Sequence, residues 1–224
     1  VNRYRLLLCS LLLLHAGLLA DSASHDVALT SRAYLNQLAL PDGEEMCSST
    51  SLAMVLAMVG VVEPDHAAMA AAAEAIFPRV QRDGQAYIGM MLYELLRQGV
   101  RAELHADIPA DEGWQIIRSQ VDAGQPVIVR TSPGVLTLAG HFLVVVGYRS
   151  GFSRREVIAY DPFGRWHEVP CHLLPGACAG NYDRNTADPS SAKGQGVVYH
   201  FDEVFGRSNY LISVQGRGTD GGGT

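Results

Sequence analysis

Glu45-Met46-Cys47-Ser48-Ser49-Thr50-Ser51-Leu52-Ala53-Met54-Val55-Leu56 places a thiol at the head of an apolar helical run. Gly60 stops that run, so the helix is predicted from about Cys47 to Val59. A helix N-terminus stabilises a thiolate through unpaired N–H groups and the positive end of the dipole. Farther along come Gly140-His141-Phe142 and Tyr160-Asp161-Pro162. A thiol at a helix start, then a histidine, then an aspartate is the layout of a nucleophile, its base and the acid that orients the base.

Outward from Cys47, the helical signals continue. Pro64 suits the first position of a second, alanine-rich helix ending near Pro78. A third is predicted from about Gln85 to Gln98, with Ile88, Met91, Leu92, Leu95 and Leu96 on one stripe and Gly99 as its stop. Trp114 to Ala123 makes a fourth, ended by Gly124. Then the texture changes. Residues 126–130, 142–148, 156–160, 165–169 and 210–214 read as strands. Helices first and strands second predict an α+β fold, with an N-terminal helical half packed on a C-terminal antiparallel β-sheet. Residues 176–196, rich in Gly, Asp, Asn and Ser, read as a long surface loop, and 216–224 as a disordered Gly-rich tail.

His141 begins an apolar strand beside a turn, where a side chain can reach a cleft. Asp161 ends another strand. If the two strands are antiparallel neighbours, the ladder brings these residues together. Gln37 lies ten positions before Cys47 and offers a side-chain amide for a developing oxyanion, beside the Cys47 backbone N–H. Glu44 and Glu45 are adjacent in a loop and read as solvated. Trp166 is a shield for the His–Asp pair or a plain core residue.

The net charge is −6 and no Lys/Arg cluster is present, which argues against nucleic acid and against a polybasic membrane patch. No Gly-x4-Gly-Lys phosphate loop and no zinc-type His/Cys spacing occurs, so no cofactor and no metal is expected. Two arginines, the apolar stretch Leu6 to Leu14 and small residues near Ala20 read as a signal peptide over 1–20, too short to span a membrane comfortably. The expected location is secreted or periplasmic in a bacterium, with no stable membrane insertion after cleavage. Cys9 would leave with the signal. Cys171 and Cys178 flank a short loop and are the natural disulfide pair, leaving Cys47 free.

The order and spacing of Gln37, Cys47, Thr50-Ser51-Leu52-Ala53-Met54-Val55-Leu56, Gly124-Gln125-Pro126-Val127-Ile128-Val129, Gly140 to Tyr148 and Asp161-Pro162 resemble the C-39-like cysteine peptidases. These are relatives of the bacteriocin-processing, double-glycine leader peptidases. The resemblance runs over residues 26–215. It implies a papain-like fold, with Cys47 as nucleophile, His141 as base, Asp161 as orienter and Gln37 as oxyanion donor. It implies a peptide or protein substrate and a thiol hydrolase; the protein is expected to be a monomer. The family's Gly-Pro after the nucleophile is Ser48-Ser49 here; serine is tolerable in a first helical turn and can cap it. The same scaffold also hosts acyltransferases and non-catalytic peptide-binding modules.

Overall fold

The computed structural model describes residues 33–82, 85–133, 135–151, 154–167, 181–205 and 210–217. The stretch read as a signal peptide, Cys9, Cys171, Cys178 and the tail beyond Arg217 lie outside the described residues.

Helix α1 (Cys47–Met58) is the centre of the fold, and every residue from Ser48 to Ala57 is buried. Its small and apolar side chains leave no polar face, the pattern of a helix wrapped by other elements. Helix α2 (His66–Val80) packs on α1 through Met69, Ala73, Ile76 and Val80, one stripe at helical spacing. Its cap differs from expectation. Asp65, not Pro64, begins the helix, because the Asp65 carboxylate accepts the Ala68 N–H at 2.9 Å. Pro78 lies inside the last turn, where its missing N–H costs a single hydrogen bond.

Helix α3 (Ile88–Arg97) starts later than predicted. Gln85–Ala86 instead forms strand β2, paired antiparallel with β1 (Gln81–Arg82). The stripe also differs. Ile88, Met91 and Leu95 point inward, Leu96 is exposed, and Glu94 takes the fourth buried place. Burial is possible because Arg79, Arg97 and Gln98 all donate to the Glu94 carboxylate. Helix α4 (Ala110–Asp122) follows, and Gly99 and Gly124 end α3 and α4 with positive φ, as predicted.

The main sheet has six strands in the order β3-β10-β4-β5-β6-β9, and every neighbouring pair is antiparallel. Strands β4 (Val127–Thr131), β5 (His141–Gly151), β6 (Arg154–Tyr160) and β10 (Tyr210–Arg217) are the predicted ones, with β10 running two residues into the predicted tail. Edge strands β3 (Val100–His105) and β9 (Val197–His200) are additions. Strand β7 (Gly164–Trp166) falls on the strand predicted over 165–169, and it pairs with β8 (Tyr182–Arg184), an addition that turns part of the predicted loop into paired structure.

The sheet lies between two apolar layers. Ile128, Val144 and Ile212 meet Leu52, Val55 and Met91 of α1 and α3 on one face. Val129, Leu143 and Leu211 meet Trp114, Ile117 and Phe201 of α4 and the short α5 (Phe201–Phe205) on the other. The α+β class and antiparallel sheet are as predicted; α4 and α5 add a second helical layer. No helix among the described residues is long and apolar enough to cross a membrane.

Candidate active site

Cys47 is the first residue of α1, a free thiol, half-buried. It stands where the helix leaves N–H groups unpaired. Neither following serine caps the helix. The Ser49 hydroxyl donates to the Met46 carbonyl at 3.2 Å, and the buried Ser48 hydroxyl has no partner.

His141 opens β5, and its backbone is clasped by β4. The two strands pair Thr131 with His141, and the His141 N–H donates to the Thr131 hydroxyl at 3.1 Å. Strands β5 and β6 are antiparallel neighbours, as the sequence requires for a His–Asp meeting. Asp161 follows the last residue of β6, and its Oδ1 accepts His141 Nε2–H at 2.8 Å. Both side chains are buried. That bond commits Nε2 to Asp161 and leaves Nδ1 as the ring nitrogen for Cys47. Burial alone would lower the imidazole pKa; the Asp161 charge and hydrogen bond, then Cys47, overcome it and push His141 up to about 10.

The Asp161 carboxylate is fully engaged. Oδ1 also accepts the Phe163 N–H at 3.0 Å, while Oδ2 accepts the hydroxyls of Tyr199 at 2.9 Å and Tyr182 at 3.1 Å. Its backbone is clamped too. The Asp161 N–H donates to the Gly194 carbonyl, and the Tyr34 hydroxyl donates to the Asp161 carbonyl, both at 2.9 Å. Asn185 donates to the Tyr34 hydroxyl and to the Pro162 carbonyl. Gly194 must be glycine: a Cβ there would sit 1.9 Å from the Asp161 carbonyl oxygen. The described part of the predicted surface loop therefore organises the Asp161 turn. Sequence reasoning missed Tyr34, Tyr182, Asn185, Gly194 and Tyr199. None stands in a motif, and their partners are distant in sequence.

Gln37 is buried on a short 3-10 turn (Gln37–Ala39). Its N–H donates to the Pro162 carbonyl at 3.0 Å, which ties it to the Asp161 turn. Its Nε2 donates to the Gly43 carbonyl at 2.5 Å, and its Oε1 is buried without a partner. The backbones are so close that a Cβ on Gly43 would meet the Gln37 carbonyl at 2.3 Å.

Gln37, Cys47 and His141 share one cleft of about 520 Å³, with Phe142, Phe163 and Tyr182 on its wall. All four residues predicted for the site are thus in one region, with Asp161 directly behind His141. The rings edge-on to His141 are Phe163 and Tyr182. Trp166 belongs to the core, where its N–H donates to the Tyr199 hydroxyl and its ring lies edge-on to Tyr199. Glu44 is exposed as expected, but it pairs with Arg184 across the cleft wall. Among the described residues no group of three or more His, Cys, Asp or Glu side chains suits a metal.

A family model described as the Peptidase_C39 like family matches residues 30–206. The chain belongs to this family. Membership in the Peptidase_C39 like family supports a function of the cysteine-peptidase type. No curated protein sequence matches the chain. Two of the similar solved structures are the following. One is described as a C39-like peptidase from Bacillus anthracis, 16% identical, with 86% of this chain and 98% of that chain covered and a TM-score of 0.46. The other is a fragment of prointerpain A from Prevotella intermedia, 13% identical, with 86% and 71% covered and a TM-score of 0.44.

Proposed function

We propose that the protein is a cysteine peptidase or amidase that cleaves a peptide or amide bond through Cys47, His141 and Asp161. One observation carries this reading: a free thiol at the head of a buried helix shares a cleft with an imidazole locked onto a buried carboxylate. The raised imidazole pKa favours a Cys47 thiolate beside a His141 imidazolium.

The Cys47 sulfur attacks the carbonyl carbon and the carbonyl oxygen takes the charge. The Cys47 backbone N–H and the second N–H of the Gln37 amide are the donors for that oxyanion; one such donor is worth about 2.7–4 kcal/mol. His141 passes its Nδ1 proton to the leaving amine, which departs and leaves a thioester on Cys47. A water then gives its proton back to His141 and its hydroxyl to the acyl carbon, and the Cys47 thiolate is released. Asp161 holds the tautomer throughout.

A peptide or protein is the substrate that the family suggests. Secretion or export to the periplasm, cleavage of 1–20 and action as a monomer belong to the same proposal. The test is labelling of purified protein with a thiol-directed acyl probe, followed by peptide mapping. Label on Cys47, lost in His141→Ala and slowed in Gln37→Ala, is expected. Equal labelling of Cys47 in wild type and His141→Ala would sink the mechanism.

A further inference from the structure

The mechanism above uses one oxygen of Asp161. The other faces two phenols, from β8 and from the edge strand β9, at 3.1 and 2.9 Å. The direction of the second bond is determined. The Trp166 backbone N–H donates to the Tyr199 hydroxyl oxygen at 3.0 Å. An N–H group cannot accept, so the phenol's own proton points at the carboxylate. Tyr199 is buried, and Tyr182 lies edge-on to both His141 and Phe163, so neither phenol is there by the accident of a mobile surface side chain.

We infer that Tyr182 and Tyr199 are positioning residues for the reaction, which together hold Asp161 ionised and rotationally fixed so that the shared proton stays on His141. This inference rests on the Cys–His–Asp reading of the site. A buried carboxylate whose partner is an imidazolium has an alternative: it can take the proton, and burial favours that neutral pair. Donors to the carboxylate oppose the transfer because they stabilise the charged form. Two phenols and the Phe163 N–H supply three such donors. A phenol suits the task better than a cation. It stabilises Asp161 without placing a positive charge that would repel the imidazolium.

The groups facing this cluster are His141 from β5, with Cys47 of α1 on its far side, Tyr182 from β8 and Tyr199 from β9. Tyr34 donates to the Asp161 backbone carbonyl, and Arg184 lies 4.5 Å over the Phe163 ring. Burial, and then the Asp161 charge, push both phenols well above their ordinary range, so they remain protonated donors across the working pH.

The test uses Tyr199→Phe, Tyr182→Phe and the double variant in the full chain. Each removes one hydroxyl and keeps the ring. The readout is the rate of Cys47 alkylation by iodoacetamide against pH. Loss of one hydrogen bond to a charged group should move the acid limb upward by about one pH unit, a drop of about tenfold at a pH on that limb. The double variant should move it farther. Variants that alkylate more slowly but keep the wild-type acid limb would show a merely structural role and overturn the inference; so would variants identical to wild type. If wild-type Cys47 alkylates only near the ordinary thiol pKa of about 8.5, the nucleophile reading fails instead. The tyrosines are then judged in Cys47→Ala protein from the His141 Nε2–H proton resonance. It should be lost at higher pH on acidification when the hydroxyls are absent, and an unchanged titration would overturn the inference there.

Discussion

Asp161→Asn separates the reasoning in this structure from reasoning on the His–Asp pair alone. An amide oxygen can still accept from His141, and from the pair alone the change should be mild. The structure reverses that. With the amide oxygen toward His141 and the Phe163 N–H, the amide NH2 faces Tyr182 and Tyr199, whose hydroxyls both donate to Asp161. Two buried O–H groups lose their acceptor, each at about 1–3 kcal/mol, partly recovered where a phenol oxygen accepts from the amide. The imidazolium also loses its counter-charge. The net expectation is about 2–5 kcal/mol of lost stability and about a hundredfold or greater loss in Cys47 reactivity near neutral pH, much closer to Asp161→Ala than to wild type. The pH dependence has a definite sign. His141 is raised from an ordinary 6.5 to about 10, so its contribution is complete below 6.5 and is lost as pH rises toward about 10. The stability gap between wild type and Asp161→Asn should therefore narrow across that window. Urea unfolding at several pH values and iodoacetamide alkylation measure both quantities. A variant within about 0.5 kcal/mol of wild type, with Cys47 reactivity within about twofold, would refute the four-donor account.

Cys47→Ala should abolish hydrolysis and leave thermal unfolding nearly unchanged, because a small residue replaces a small one at a helix start; Cys47→Ser should be almost inactive, since a hydroxyl is far less acidic than a thiol. Gly194→Ala should cut kcat/KM by at least about tenfold, because the added Cβ drives the Asp161 carbonyl away and drags the carboxylate with it; a neutral result in a peptide-cleavage assay would remove Gly194 from the site's support. Burial opposes ionisation of Glu94, but hydrogen bonds from Arg97, Arg79 and Gln98 prevail and lower it from 4.5 to about 2. Its contribution is present above 4.5 and lost as pH falls toward 2. With both arginines partly in water, Glu94→Gln should cost about 1–2 kcal/mol at neutral pH and nothing near pH 2, read by chemical denaturation.

The helices and central strands were legible because local patterning determines them. A buried helix such as α1 has no polar face, so it is apolar without a break from Leu52 to Met58, and a central strand such as His141 to Tyr148 is sandwiched on both faces, so both are written as continuous runs. Positive-φ glycines mark their ends without help from distant residues. Edge strand β3 alternates apolar Val100, Ala102 and Leu104 with polar Arg101, Glu103 and His105, and β9 is only four residues long; stretches this short become strands through pairing with β10 and β6. Glu94 shows the converse. Its place on the buried stripe of α3 depends on Arg79 from another helix, which no helical periodicity can announce.

Cys47 and His141 stood out as candidates by chemical type and chain position: a thiol at a helix start, and a histidine at the head of a strand. Antiparallel pairing of β5 with β6 then carries Asp161 to His141, and strand order alone made that meeting foreseeable. What only the tertiary structure decided is the surroundings of Asp161. Its carboxylate accepts hydroxyls and an N–H from β8, β9 and the Phe163 turn, and its position depends on Gly194 and Tyr34. These hydrogen bonds join residues at unrelated separations, from 2 to 127 positions, and they leave no period and no motif in the sequence. They exist because folding removes water from the carboxylate, and each donor that water supplied must be replaced by one from the chain.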